Sequence, residues 1–286
     1  MKLASFMIDG QPGYGLVIDG AVRLPGADFR KRFPTLRDLL SANAERELIG
    51  TAVEPVPDSA TLVFLPPIPN ARKIICVGVN YRPHIAEMGR DIPDYPVVFT
   101  RFASSLVGHD QPLVRPSVSH QLDFEGELAV VIGRAARHVS RDQAFDYVAG
   151  YSCFMDGSVR DFQRHTQQFT PGKNFDRSGA MGPYIVTADE VGDPRELELT
   201  TRVDGEVMQR GRVAELVFDI PALVEYCSTF TELLPGDVLA TGTPGGVGAA
   251  RTPPLWLKPG NTVEVEIPGV GLLANRVTDE TGNACR

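Results

Sequence analysis

The sequence has no apolar run approaching the roughly 20 residues of a membrane-spanning helix, so a helical membrane protein is not expected. Its opening stretch "MKLASFMIDGQPG" lacks the apolar core of a secretory signal, and the expectation is a cytoplasmic protein with no membrane partner. It also lacks any Lys/Arg-rich run. The 28 Lys and Arg face 36 Asp and Glu, a formal net charge of -8 that would repel a phosphate backbone, so nucleic acid is not an expected partner. Cysteine is scarce: Cys76, Cys153, Cys227 and Cys285 show no C-x-x-C spacing and are read as reduced, structural thiols.

What is present is the length of one large domain or two unequal ones, 286 residues with 43% hydrophobic side chains. The first segment, "LASFMIDGQPGYGLVIDGAVRLPG", has three short apolar runs punctuated by D-G and Q-P-G, a β-meander signal. "TLRDLLSANAERELIGTAV" follows with a Thr cap and apolar residues at helical spacing. The Pro-rich passage "VEPVPDSATLVFLPPIPNA" is then the expected boundary between a small N-terminal unit, 1–69, and a larger one, 70–286. Beyond it, strands dominate: "KIICVGV", "PVVFTRF", "GELAVVIG", "YIVTADEV", "LELTTRVDGEVMQ", "DVLATG" and "NTVEVEI". Only "SRDQAFDYVAG" and "DIPALVEYCSTF" have strong helical patterns, so a curled mixed sheet of an α+β fold is favoured over βαβ alternation.

The stretch "DFEGEL" sets Asp123, Glu125 and Glu127 at alternate positions running into "AVVIG". In a strand these share a face with Ala129 and Val131, so a polar surface turns into a buried one, as at the mouth of a cavity. A charged edge strand is the ordinary alternative. Gly126 removes a side chain from the opposite face and lets backbone or a ligand approach. Close carboxylates share a cation or raise one another's pKa, and an all-oxygen set favours Mg²⁺, Mn²⁺ or Ca²⁺. Asp156, at the end of the apolar run "YSCFM", could supply a third ligand, whereas Asp161 reads as a surface or capping acid.

Upstream, "NYRPHIAEMG" has Pro at the start of a short helix and Gly89 past its end, which puts His84 and Glu87 three apart on one face. Glu87 could orient His84 as a general base, and an ordinary surface pair is the alternative. His109, His120, His138 and His165 lack such a setting. Lys173 follows a Pro-Gly turn in "TPGKNFD", and Thr243 leaves a strand in "ATGTPGGVGAA". That loop could turn backbone N–H groups toward an anion, although it has neither the P-loop ending nor a dinucleotide fingerprint.

Taken in order, "NYRPHIAEMG", "SSLVG", "DFEGELAVVIG", "DYVAGYSCFMDGSVRDFQ", "PGKNFD", "GPYIVTADE", "LPGDVLATGTPGGVG" and "LKPGNTVEVEIPGVG" resemble the fumarylacetoacetate hydrolase family over roughly residues 72–277. The resemblance implies a mixed β-roll catalytic domain, one Mg²⁺ or Mn²⁺ per chain and a homodimer. By motif it makes Glu125, Glu127 and Asp156 the metal ligands, His84 and Glu87 the water-activating pair and Lys173 the active-site lysine. Arg82, Gln163 and Thr243 become substrate contacts. Two departures are Met155, where the family usually has Asn, and Phe124, where Tyr is commoner. Met155 cannot make an amide's hydrogen bonds, which leaves the support of Asp156 open. The expected substrate is a small 2-oxo or 2,4-dioxo acid, and the expected reaction is hydrolysis of a C–C bond through an enolate. Decarboxylation or isomerisation at the same site, or a catalytically silent binding protein, are the alternatives.

Overall fold

A computed structural model describes residues 1–51, 53–56, 61–87, 89 and 91–281; Cys285 and part of the Pro-rich passage lie outside them. The D-G turns make the expected meander: Lys2–Ile8, Gln11–Ile18 and Ala21–Pro25 pair antiparallel, with Asp9 and Asp19 in the left-handed region just before their glycines. Lys2–Ile8 also pairs with Gly179–Thr187, Leu3 opposite Ile185, so the sheet crosses the expected boundary near residue 69. It continues through Val148–Met155, Gly126–Ile132, Val238–Ala240 and Ile74–Gly78 to an edge at Val97–Arg101, twelve strands in all.

Gly126–Ile132 lies at the middle and is buried throughout, which explains why "LAVVI" after Glu127 is an unbroken apolar run. Leu128, Val130 and Ile132 pack in one cluster with Leu199, Val265 and Leu273 of a second, five-stranded sheet. Ala129 and Val131 pack on the other side with Phe29, Leu36, Leu39 and Leu40 of the N-terminal helices. The central sheet is therefore covered by a sheet on one face and by helices on the other, a mixed α+β fold.

Two local expectations change. The helical pattern after Thr35 becomes two helices, Leu36–Ser41 and Glu45–Gly50, because Asn43 takes a φ of 51° between them. Thr35 caps the first, as expected. "SRDQAFDYVAG" forms a 3₁₀ segment, Arg141–Tyr147, in which only Ala144 is buried, too little apolar surface to anchor a longer helix. "DIPALVEYCSTF" forms the helix Ile220–Phe230, capped by Asp219. Cys76, Cys153 and Cys227 are buried free thiols. No described helix is long and apolar enough to cross a membrane.

Candidate active site

Strand register assembles the acidic group. Gly126 pairs with Met155 and Glu127 with Phe154, so the residues just beyond the pair, Glu125 and Asp156, meet at the strand ends, where the Asp156 N–H donates to the Glu125 carbonyl at 2.9 Å. Glu125, Glu127 and Asp156 are all buried, and each offers an oxygen within 4.8 Å of the others. Asp123 does not join them. It sits in a separate two-stranded ribbon, Leu122–Asp123 against Ser158–Val159, so the alternate-position trio is not one continuous strand face.

Buried carboxylates need partners, and three buried cations provide them. Arg101 Nη1 donates to Asp156 Oδ1 at 2.6 Å. Arg160 reaches Asp123 Oδ2 at 2.8 Å and Glu125 Oε1 at 2.6 Å. Lys173 Nζ donates to Asp156 Oδ2 at 2.6 Å and to Glu125 Oε2. Burial by itself raises Glu125, but Arg160 and Lys173 outweigh it and hold its pKa below the ordinary carboxylate range. Glu127 has no such cation on its carboxylate: burial, then Asp156 and Glu125, push its pKa well above the ordinary value. Burial works against the Lys173 charge, yet Asp156 and Glu125 outweigh that and raise its pKa, so it stays an ammonium. Three close carboxylates carrying surplus negative charge match a hard divalent cation such as Mg²⁺ or Mn²⁺. The departure at Met155 is also explained: its side chain lies in the core, and Asp156 is oriented by Arg101 and Lys173.

The Gly-rich loop does present backbone N–H groups to anions, but the anions are the protein's own carboxylates. Gly242 N–H donates to Glu127 Oε2 at 2.9 Å and Gly246 N–H to Glu87 Oε1 at 2.9 Å. Gly248 and Ala249 N–H groups hold both oxygens of Asp123, at 2.8 and 2.9 Å. One loop thereby ties the acidic group, the His84–Glu87 pair and Arg160 together. Thr243 is committed as well. Gly126 N–H donates to Gln209 Oε1, which turns Gln209 Nε2 toward Thr243 Oγ1 at 2.7 Å, and Thr243 Oγ1 spends its proton on the Gly126 carbonyl at 2.9 Å. That proton therefore already has a partner within the protein, while Thr243 still lines the cavity described below. Gly126 is approached by Thr201 of the second sheet, whose Oγ1 lies 2.0 Å from where a Cβ would stand, not by a ligand.

His84 arrives on the helix Arg82–Glu87, which starts one turn beyond the strand Ile74–Gly78. The turn is clamped by Asn80: its Nδ2 donates to the Thr241 and Phe218 carbonyls at 2.8 and 3.0 Å, and its Oδ1 accepts from Phe218 N–H at 2.8 Å. Beside it Val79 has a φ of 57°, a strained setting for a β-branched residue. His84 is 7% exposed and its Nδ1 lies 3.1 Å from Glu87 Oε2.

A cavity of about 440 Å³ joins these parts. His84, Glu125, Glu127, Asp156, Gln163, Lys173 and Thr243 line it; Glu87 stands behind His84, while Arg82 is exposed and outside the lining. Gln163 Oε1 accepts from Arg160 at 2.8 Å. Lys173 comes close because Gly172 packs on the Gln163 backbone, where a Cβ would lie 2.4 Å from Gln163 N. Sequence reading missed Asn80, Arg101, Arg160 and Gln209. Arg160, in the "SVRDFQ" that follows Asp156, could have been found by asking what neutralises four acids; Arg101 and Gln209 are distant in sequence and carry no local signal.

Comparison with known proteins agrees with this geometry. The model of the fumarylacetoacetate (FAA) hydrolase C-terminal domain matches residues 73–278. The mitochondrial oxaloacetate tautomerase FAHD2A of Homo sapiens is 42% identical over 225 residues, 78% of this chain and 72% of that protein. The oxaloacetate tautomerase YisK of Bacillus subtilis (strain 168) is 43% identical over 215 residues, 74% of this chain and 71% of that protein. Among solved structures, the fumarylacetoacetate hydrolase of Exiguobacterium antarcticum superposes with a TM-score of 0.85 at 35% identity, covering 98% of this chain and 100% of its own. The maleylpyruvate hydrolase of Sphingobium sp. SYK-6, solved with manganese(II) and pyruvate, superposes with a TM-score of 0.78 at 29% identity over the same shares.

Proposed function

We propose that this chain, which belongs to the fumarylacetoacetate hydrolase family, interconverts the keto and enol forms of a small 2-oxo acid of the oxaloacetate type. The observation that carries the reading is one cavity holding an acid-supported His84, a buried ammonium at Lys173 and a cation-ready acidic group. The names of relatives above 40% identity support oxaloacetate as the first substrate to try.

Glu125, Glu127 and Asp156 would hold Mg²⁺ or Mn²⁺, which supplies Lewis acidity to the 2-oxo acid oxygens. His84 takes the proton from the carbon beside the carbonyl, and the electron pair of that C–H bond moves into the C–C bond as the carbonyl pair settles on oxygen. Glu87, accepting from His84 Nδ1, stabilises the imidazolium that forms. Lys173 keeps its proton and offers positive charge to the oxygen. His84 then returns the proton to that oxygen, which completes the enol.

The test is the rate of oxaloacetate enol–keto interconversion above the spontaneous rate in Mn²⁺ or Mg²⁺. His84→Gln should lose about 10² to 10⁴ of it with Mn²⁺ affinity unchanged. A parent protein that leaves the spontaneous rate unaltered overturns the reading. The second reading is C–C bond hydrolysis of a 2,4-dioxo acid, in which His84 deprotonates water instead of carbon; the maleylpyruvate hydrolase neighbour supports it. Release of two acids from an acylpyruvate by the parent, with no gain in enol–keto rate, would put hydrolysis first.

A further inference from the structure

The strand Val97–Arg101 ends the twelve-stranded sheet, paired on one side with Ile74–Gly78. The other side of an edge strand carries a row of backbone groups that need partners. Two of them, the Thr100 carbonyl and the Phe102 N–H, are taken by one side chain. Asn174 Nδ2 donates to the Thr100 carbonyl at 3.0 Å, and Asn174 Oδ1 accepts from Phe102 N–H at 2.6 Å. One residue of a parallel neighbour strand would make the same two bonds, so the amide stands in for a missing strand. Nδ2 also donates to the Thr170 carbonyl at 3.0 Å, which uses both of its hydrogens. The residue before Asn174 is Lys173, at the end of the helix Thr170–Lys173. A single turn does not hold its own shape in water. The segment is instead strapped to the edge strand at both ends: by Asn174, and by Phe169, whose ring meets that of Phe99 edge-on with centroids 5.6 Å apart. Phe99 and Arg101 share one face of the strand. Lys173 Nζ lies 4.9 Å from the Phe99 centroid and holds Asp156 Oδ2, while Arg101 holds Asp156 Oδ1. One edge strand thus brings two cations to Asp156, Arg101 directly and Lys173 through the strap.

We infer that Asn174 is a positioning residue for the Lys173 ammonium; this rests on the role given to Lys173 above. Asn174 lies outside the cavity lining, so its effect on a bound ligand passes through its neighbour. A charge that stabilises a developing oxyanion must be fixed before the reaction begins, and a flexible lysine on a single helical turn is fixed only as well as that turn is. The bond set also specifies the residue. Asp would bring no donor to the two carbonyls and Ser only one, whereas a short amide offers two donors and an acceptor together.

The probe is oxalate, an unreactive planar dianion that resembles the enolate of a 2-oxo acid, bound to the Mn²⁺-loaded full chain. Calorimetry should show Asn174→Ala weakening oxalate about tenfold, with Mn²⁺ affinity within about twofold of the parent. Oxaloacetate interconversion should lose about as much in kcat, with little change in KM. Asn174→Gln keeps the amide on a longer stem and should recover part of both losses. In a Lys173→Met background Asn174→Ala should change neither, the non-additivity of a residue that acts through another. A full effect of Asn174→Ala in that background, or an Asn174→Ala protein that binds oxalate as the parent does, overturns the inference and leaves the 2-oxo acid reading intact. If Lys173→Met does not fold, the glutamine variant decides, and no recovery overturns the inference. Oxalate binding with the expected pattern but no acceleration of enol–keto interconversion sinks the reaction and keeps Asn174. A Mn²⁺-loaded parent that does not bind oxalate overturns both.

Discussion

At the floor of the cavity Glu125, Glu127, Asp156 and Lys173 are 6%, 2%, 0% and 1% exposed and every one of them is held by named partners, whereas at its mouth Arg164, Thr166 and Gln167 are exposed. The floor is built from strand ends of the central sheet and from a loop whose N–H groups point at protein carboxylates. The mouth is a short segment whose hydrogen bonds are local, such as Thr166 Oγ1 accepting from Gln168 N–H at 3.0 Å. The difference separates two tasks. Groups that stabilise developing charge must be fixed before the substrate arrives, because reorganising them during reaction is what an enzyme avoids. Groups that select the substrate need only meet it.

The sharpest break in the floor is Glu127→Gln, the acid whose carboxylate has, among the described residues, only a backbone N–H as hydrogen-bond partner. Turnover should fall by about 10³ or more as ion binding is lost. In chelated protein the same change should stabilise the fold. Because the folded-state pKa of Glu127 is raised, its contribution to stability is present below the unfolded-state value, about 4.3, and is lost as pH rises through the folded value. The melting temperature of the variant should therefore exceed that of the parent increasingly as pH rises above the unfolded-state value. Glu125 runs the other way: its depressed pKa stabilises the fold above the unfolded value, and that stability is lost on acidification. Thermal scans across pH check both, and a chelated Glu127→Gln protein that melts no higher than the parent near neutrality contradicts the charge picture.

A smaller effect is expected from the clamp behind His84. Asn80→Ala leaves the Phe218 N–H, the buried Thr241 carbonyl and the partly buried Phe218 carbonyl without their partner, at a cost of about 2 to 3 kcal/mol, and should lower turnover more than Mn²⁺ affinity because it loosens the arm and not the floor. Denaturant titration and calorimetry separate the two, and equal losses in both would mean that arm and floor are one unit. Gly172→Ala should come next: its Cβ would press on the Gln163 backbone at 2.4 Å, which costs about 1 to 3 kcal/mol and moves Lys173 away from its carboxylates. Turnover should drop with it, and an unchanged rate would show that Lys173 reaches the floor without that close approach. The mildest change is Val79→Gly. It relieves a β-branched residue at φ 57°, and the gain should be about 1 kcal/mol with turnover within about twofold, since Asn80 still sets the turn. A large loss of rate in that variant would mean that the strain itself positions His84.

Much of the floor could be read in the chain. Glu125 and Glu127 sit at strand spacing before an apolar run, and Asp156 ends a second one, so all that was missing was the knowledge that the two strands are neighbours. The His84–Glu87 pair was legible because helical neighbours three apart always face alike. Asp123 was misassigned for a related reason: alternation implies one face only while the strand continues, and the chain changes sheet between Asp123 and Gly126. Arg82 was placed at the substrate by motif; it is exposed and outside the cavity lining, and at two residues from His84 on a helix it does not share that residue's face.

By itself, the sequence determined what is local: the meander with its D-G turns, the Thr35 cap, the helix in "DIPALVEYCSTF", the acidic and histidine motifs. Only the tertiary structure decided how the charges are shared. Arg101, Arg160 and Lys173 come from three separate segments, and which acid each one neutralises depends on distances of a few ångströms that no spacing along the chain encodes. The same holds for Thr243, whose hydroxyl looked free for a substrate until Gln209, 34 residues away, fixed where its proton goes. Coulomb energies and hydrogen bonds fall off with separation in space, so groups distant in sequence set the chemistry as soon as folding brings them into contact.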